Sequence, residues 1–146
     1  MKVLNIKIKT SIDSDTVHDR LYRINNTVSV SICTDEGVYR VVAYPGFLTD
    51  GRSGGPLVDP IFPNWGTQLE RAVVLFHDIL YYDFDITWET ANLLLRESIK
   101  FIGKSSIRAN MVYWGVSTDI GRNAFGCKTR HDFDMTNKCN AYWDAK

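Results

Sequence analysis

The N-terminal third of the chain alternates hydrophobic and polar residues, which is the pattern of a half-buried β-strand. Four stretches show it: residues 3–8, 21–24, 28–33 and 38–44. Turn-forming residues separate them, including Asn25-Asn26 and Asp35-Glu36-Gly37, where glycine supplies the backbone freedom that a hairpin needs. Residues 1–45 are therefore predicted to form an antiparallel β-meander.

The second half changes to the helical period, in which hydrophobic residues recur every three to four positions. Three segments with this period predict helices over residues 67–82, 88–102 and 105–116. Asp85 or Thr87 is expected to cap the second helix, and Gly103 to end it. The predicted fold class is α+β, with the β-meander packed against about three C-terminal helices.

Two segments lack a clear period. Residues 46–66 are rich in glycine and proline and predict a long loop, which in a compact domain is usually functional. Residues 118–146 are polar with scattered aromatic side chains and are expected to form an irregular tail docked on the rest of the chain. The length of 146 residues predicts a single domain, with residues 67–117 as its helical part, because either half alone would bury too little surface.

Charge and composition narrow the possible partners. Lys plus Arg and Asp plus Glu each number 17, so the net charge is zero, unlike a general nucleic-acid binder. No apolar run approaches the ~18 residues that span a bilayer. The first residues lack the apolar block of a secretory signal, so we expect the protein to remain in a cytoplasm or to leave it by lysis. The three cysteines are too few for a disulfide framework.

A glycine-rich string in the predicted loop is similar to the nucleophile segment of chymotrypsin-like serine proteases. It reads GRSGGPLV and is centred on Ser53. Arg52 replaces the acidic residue of that segment, only 52 residues precede Ser53, and the following sequence is helical where that fold is all β. We therefore interpret the string as a surface turn and predict that Ser53 is not a nucleophile.

The pair His77-Asp78 interrupts an otherwise apolar helix. The other two His-Asp pairs, at His18 and His131, have polar neighbours and are expected to be solvated. A polar pair in a buried helix needs partners, since an unpaired buried charge is costly. Two interpretations stay open: a structural hydrogen-bonded pair, or a site for a metal or for acid–base chemistry.

Thr49-Asp50 lies directly after the last predicted strand and opens the long loop. Asp50 could make a local Asx-turn, or it could present a carboxylate at a cleft, as strand-end residues often do. If the sheet packs against the first helix, we expect Asp50 within hydrogen-bonding or shared-ligand range of His77 or Asp78.

These motifs together resemble a phage and prophage family known as domain of unknown function 1353. The resemblance covers roughly residues 38–117, and its most specific parts are Gly46-Phe47-x-Thr49-Asp50 and His77-Asp78-x-Leu80-Tyr81. The chain departs from the family pattern in a longer loop after Asp50, in an added tail, and in Ala91-Asn92, where the pattern has Ala-Asp. The resemblance implies a viral origin and a small α+β fold, but no proven activity.

Two functions follow as hypotheses. The favoured one is a non-catalytic bacteriophage protein, a virion accessory part or host-interaction factor that contacts phage or host proteins in the virion or the host cytoplasm. The alternative is a metal-dependent hydrolase of cell-wall peptides or phosphoesters. Its catalytic residues and ligands for a divalent metal such as zinc would be Asp50, His77 and Asp78. The adjoining loop would contact the substrate or partner through Thr49, Arg52 and Ser53.

Overall fold

The computed structural model describes residues 1–18, 21–49, 66–81, 86–103, 106–117 and 141–145. Three predicted site residues, Asp50, Arg52 and Ser53, lie outside these described residues, as does most of the predicted tail.

The described strands form two antiparallel sheets. The larger has the order β1-β4-β5-β7 and the smaller the order β2-β3-β6. The strands are β1 Val3–Ile8, β2 Ser14–His18, β3 Leu21–Ile24, β4 Val28–Thr34, β5 Gly37–Ala43, β6 Leu48–Thr49 and β7 Ala141–Ala145. The β-part is therefore divided, because β1 pairs with β4 while the β2–β3 hairpin between them joins a separate sheet.

The helices are α1 Gln68–Leu80, α2 Trp88–Phe101 and α3 Ser106–Val116. Together with the N-terminal strands they confirm the predicted α+β class. In the part of the chain that the structure describes, no helix has both the length and the apolar character required to cross a bilayer.

Local capping explains where α1 and α2 begin. The Thr67 hydroxyl accepts a hydrogen bond from the Glu70 backbone N–H at 3.3 Å, and the Glu70 carboxylate accepts one from the Thr67 N–H at 3.4 Å. This reciprocal capping box satisfies backbone donors that the first turn leaves open. The Thr87 hydroxyl caps α2 by accepting a hydrogen bond from the Thr90 N–H. Thr87 is one of the two residues predicted to cap this helix.

The core lies between the helices and one face of the larger sheet. Alternate residues of β4, namely Val28, Val30 and Ile32, are at most 1% exposed. They belong to the same hydrophobic cluster as Phe76 of α1 and many other helix residues. Because successive side chains of a strand point to opposite faces, the residues between them lie on the other face of the sheet, away from this core.

Three short strands differ from the sequence prediction. Strand β2 lies outside the four stretches with an alternating pattern. Residues 141–145, within the segment expected to be irregular, form β7, which pairs with the open edge of β5 from Tyr39↔Ala145 to Ala43↔Ala141. Pairing satisfies the backbone groups of that edge, and the aromatic content of the segment suits a strand. Strand β6, inside the predicted loop, is only two residues long and so cannot show an alternating pattern.

Candidate functional site

Helix α1 carries a buried histidine. Its residues from Ala72 to His77 are all buried, and the His77 side chain is only 3% exposed. Helix α2 packs against α1 and supplies another polar residue, Asn92, at 1% exposure. Two polar side chains at such depth have to satisfy each other or nearby backbone groups.

Asn92 is the centre of a hydrogen-bonded cluster. Its Oδ1 lies 3.1 Å from His77 Nε2 and accepts a second hydrogen bond from the Tyr81 hydroxyl at 2.8 Å. Its Nδ2 donates to the backbone carbonyl of Val116 at 3.3 Å. One side chain of α2 thus links the C-terminal part of α1 to the last residue of α3.

This arrangement determines which nitrogen of His77 carries a proton. The Val116 carbonyl can only accept, so the Asn92 amide nitrogen faces it and the amide oxygen faces His77 and Tyr81. That oxygen also only accepts, so the hydrogen-bond network assigns a proton to His77 Nε2. A metal could not bind at Nε2 while the hydrogen bond to Asn92 is in place.

Tyr81 also fixes the orientation of the His77 ring. The two ring centroids are 4.3 Å apart with the planes tilted by 51°, an arrangement that residues four apart on consecutive helical turns readily reach. Tyr81 is itself buried, with 6% exposure. The imidazole is therefore held by a ring contact and a hydrogen bond.

The second contact joins α1 to β6. The Thr49 hydroxyl donates a hydrogen bond to Asp78 Oδ2, and Thr49 is 2% exposed. Thr49 is held in place because β6 pairs with β3 through Tyr22↔Thr49. The Phe47 carbonyl accepts from the Ile24 N–H at 2.9 Å just before it. The start of the long loop therefore lies against the end of α1 that carries His77 and Asp78.

The structure brings part of the predicted site together. His77, Asp78 and Thr49 lie at one end of α1, and the prediction for Asp50, Arg52 and Ser53 falls outside the described residues. Among the described residues no group of three or more His, Cys, Asp or Glu side chains is placed to hold a metal ion. Asn92 was noted in the sequence only as a departure from a pattern, and its role as the hydrogen-bonding centre depends on how α1 meets α2.

A family model described as protein of unknown function DUF1353 matches residues 28–116. The chain belongs to the DUF1353 family. The suspected family is thereby confirmed, and the DUF1353 match runs from the first residue of β4 to the last residue of α3, so it includes every residue of the cluster. No curated protein and no solved structure matches the chain.

Helix α3 exposes an apolar stripe at the end of the DUF1353 region. Ile107, Met111 and Trp114 are 74%, 53% and 64% exposed. They share one face because they are four and three residues apart. The opposite face, formed by Ala109, Val112 and Val116, is buried. Helix α3 is thus apolar on both sides, and among the described residues only the side with Ala109, Val112 and Val116 is packed into the core.

Proposed function

We propose that this DUF1353 protein is a small bacteriophage protein that acts by binding another protein, as a virion accessory part or a host-interaction factor, without catalysis. The observation that carries the proposal is the stripe of Ile107, Met111 and Trp114. Contiguous exposed apolar side chains of this kind mark interaction surfaces. The phage origin, with a location in the virion or the host cytoplasm, is supported by the family resemblance.

The spacing of the stripe indicates how a partner would receive it. Side chains at one position and at four and seven residues further are the anchors with which a helix enters a hydrophobic groove. The buried face of α3 holds the helix on α2, so the anchors are presented without having to fold on binding. The partner expected is a phage or host protein with an apolar groove about two helical turns long.

The polar cluster supports a structural role for His77 and Asp78. Their contacts join α1 to β6 and α2, and Asn92 extends the network to the end of α3. A network of this kind fixes the relative positions of the elements, because breaking any contact leaves a buried polar group without its partner. The cluster would then fix the position of α3, the helix that carries the stripe.

The test compares association of the protein with phage particles or host-cell extracts, with bound protein detected by quantitative mass spectrometry. The double variant Ile107→Gln/Trp114→Gln should lose association by ~30-fold or more, the loss expected for anchors worth at least ~2 kcal/mol. The matched control is Leu4→Gln/Val17→Gln, which removes two other exposed apolar residues, at 54% and 44% exposure. Equal association of wild type and stripe variant would overturn the proposal.

A metal-dependent hydrolase is the second candidate, and the contact between Thr49 and Asp78 favours it. That contact brings the chain directly preceding Asp50 to the carboxylate of Asp78. Asp50, Asp78 and His77 would then hold a divalent metal such as zinc, with Thr49, Arg52 and Ser53 near the substrate. His77 would have to bind through Nδ1, or give up its hydrogen bond to Asn92.

Elemental analysis of protein purified without chelator separates the two candidates. The binding-protein proposal expects no stoichiometric metal and the same unfolding temperature with and without EDTA. Stoichiometric zinc that is lost in Asp78→Asn would favour the hydrolase. Asn92→Asp sharpens this test, because a carboxylate at that position adds a ligand and should tighten any metal held by His77.

A further inference from the structure

The outer face of the larger sheet contains a cavity that is separate from the polar cluster. It has a volume of about 590 Å³ and is lined by Lys9, Thr10, Thr27, Ser29, Arg40, Val42 and Tyr44. Ser29 lies between Val28 and Val30, whose side chains are in the core, so alternation along β4 places Ser29 on the face away from the helices. A cavity of this size is within the range of ~300–1,000 Å³ typical of small-molecule sites.

The sheet register brings the lining residues together. The Lys9 N–H donates to the Ser29 carbonyl at 3.0 Å, and Ser29 lies opposite Val42 in the β4–β5 pairing. These three residues form a row across three neighbouring chain segments. Arg40 lies two residues before Val42 on the same face of β5. Tyr44 follows directly after the end of β5 and lines the same cavity.

The lining combines two cations, several hydroxyl groups and a small apolar part. Lys9 and Arg40 are its charged residues, and the hydroxyls come from Thr10, Thr27, Ser29 and Tyr44. Val42 is only 8% exposed although it is not a member of the main hydrophobic cluster, so it forms an apolar floor. Tyr44 has 41% of its surface exposed beside it.

From this lining we infer that the cavity binds a small organic phosphate, with the phosphate group between Lys9 and the hydroxyls of Thr10, Thr27 and Ser29, and the organic part on Val42 and the Tyr44 ring. Cations and hydroxyl donors together satisfy the oxygens of a phosphate by charge-assisted hydrogen bonds. A neutral sugar or alcohol would bring no negative charge to the Lys9 ammonium. The inference does not depend on the proposed protein-binding function.

Lys9 is the cation on which the phosphate depends most. Arg40 already makes an interaction of its own within the protein, so less of its charge is available to a ligand. Lys9 lies at the other side of the cavity, across Ser29. Removing the Lys9 charge should therefore weaken binding more than any other single change in the lining.

The experiment is titration of the full chain with phenyl phosphate, inorganic phosphate and benzyl alcohol, followed by amide chemical shifts and calorimetry. We expect phenyl phosphate to bind most tightly and to shift the amides of Ser29 and Val42. Lys9→Gln should weaken it about tenfold, the loss of one charge-assisted hydrogen bond. Tyr44→Ala should weaken phenyl phosphate and leave inorganic phosphate unchanged.

Lys7→Gln is the matched control, because Lys7 lies on β1 only two residues before Lys9, opposite Ser31, but does not line the cavity. An equal loss in Lys7→Gln and Lys9→Gln would show general electrostatic attraction and overturn the site. Equal binding of inorganic and phenyl phosphate would overturn the organic ligand. The stripe variant Ile107→Gln/Trp114→Gln should keep phosphate binding, so failure of one proposal is distinguishable from failure of the other.

Discussion

The cluster around Asn92 and the outer stripe of α3 reverse the usual placement of side chains. Between α1 and α2, polar side chains occupy positions in the interior where hydrophobic ones are usual. Asn92 there makes hydrogen bonds to His77, Tyr81 and Val116. Outside, on α3, large apolar groups face solvent. The two regions are joined, because the Val116 carbonyl that ends α3 is one of the partners of Asn92.

The difference between the regions is whether the unusual side chains find partners within the chain. The buried polar groups do, so their contacts contribute to the free energy of unfolding. The exposed apolar groups are not covered by the part of the chain that the structure describes, so their removal should change association with a partner and leave the fold intact. Substitutions matched for residue type but placed in the two regions test this division directly.

The largest effect is expected for Asn92→Ala. The change removes the acceptor of His77 Nε2 and Tyr81 and the donor to the Val116 carbonyl, so three buried groups each lose a hydrogen bond. The free energy of unfolding should fall by about 3–5 kcal/mol, given ~1–3 kcal/mol for each buried group and partial relaxation. Urea unfolding measures it. Asn110→Ala, at an exposed position of α3, is the control and should change stability by less than ~0.5 kcal/mol.

The second-largest effect is expected from truncating the buried one of two adjacent residues on α3. Val112 is fully buried and Met111 is 53% exposed, so the same helix supplies both halves of the test. Val112→Ala should lower the free energy of unfolding by about 2 kcal/mol through lost burial and a small cavity. Met111→Ala should leave it within ~0.5 kcal/mol and weaken partner association instead. Similar destabilisation by both variants would mean that the stripe is covered within the folded chain.

Thr49→Val tests the contact that attaches β6 to α1. It keeps the shape of the side chain and removes the hydroxyl that donates to Asp78 Oδ2. We expect a loss of about 1.5 kcal/mol, as for a hydrogen bond to a charged acceptor at a half-buried position. Thr16→Val on exposed β2 is the control. A double-mutant cycle with Asp78→Asn isolates the pairwise coupling, and a coupling near zero would contradict the contact.

The helices and the depth of His77 could be predicted from the sequence, since both depend on local pattern. The hydrophobic period and the cap at Thr87 place α2 to within a residue of its observed limits. The apolar residues around His77 require it to be buried and therefore to have partners. Those inferences need no knowledge of how distant segments pack.

The identity of the partners could not be predicted. Asn92 meets His77 only because α2 packs on α1 at a particular rotation, and Val116 joins only because α3 ends beside them. At β6, Thr49 contacts Asp78, whereas the sequence emphasised its neighbour Asp50. Asp50 itself lies outside the described residues. Strand β6 contains only Leu48 and Thr49, and an alternating pattern cannot show which of two residues faces the helix.

The smallest effect is expected for Ser98→Ala. This variant tests whether buried polar groups of α2 other than Asn92 also form hydrogen bonds. Ser98 of α2 is fully buried, and its hydroxyl has no hydrogen-bond partner among the described residues, in contrast to Asn92 on the same helix. Removing the hydroxyl eliminates an unsatisfied polar group and improves helix propensity, while the methyl-sized side chain keeps most of the packing. These terms should leave the free energy of unfolding unchanged or raised by up to ~1 kcal/mol in urea unfolding. A loss above ~1 kcal/mol would mean that the hydroxyl is hydrogen-bonded in solution, and the buried polar layer of α2 would then extend beyond Asn92.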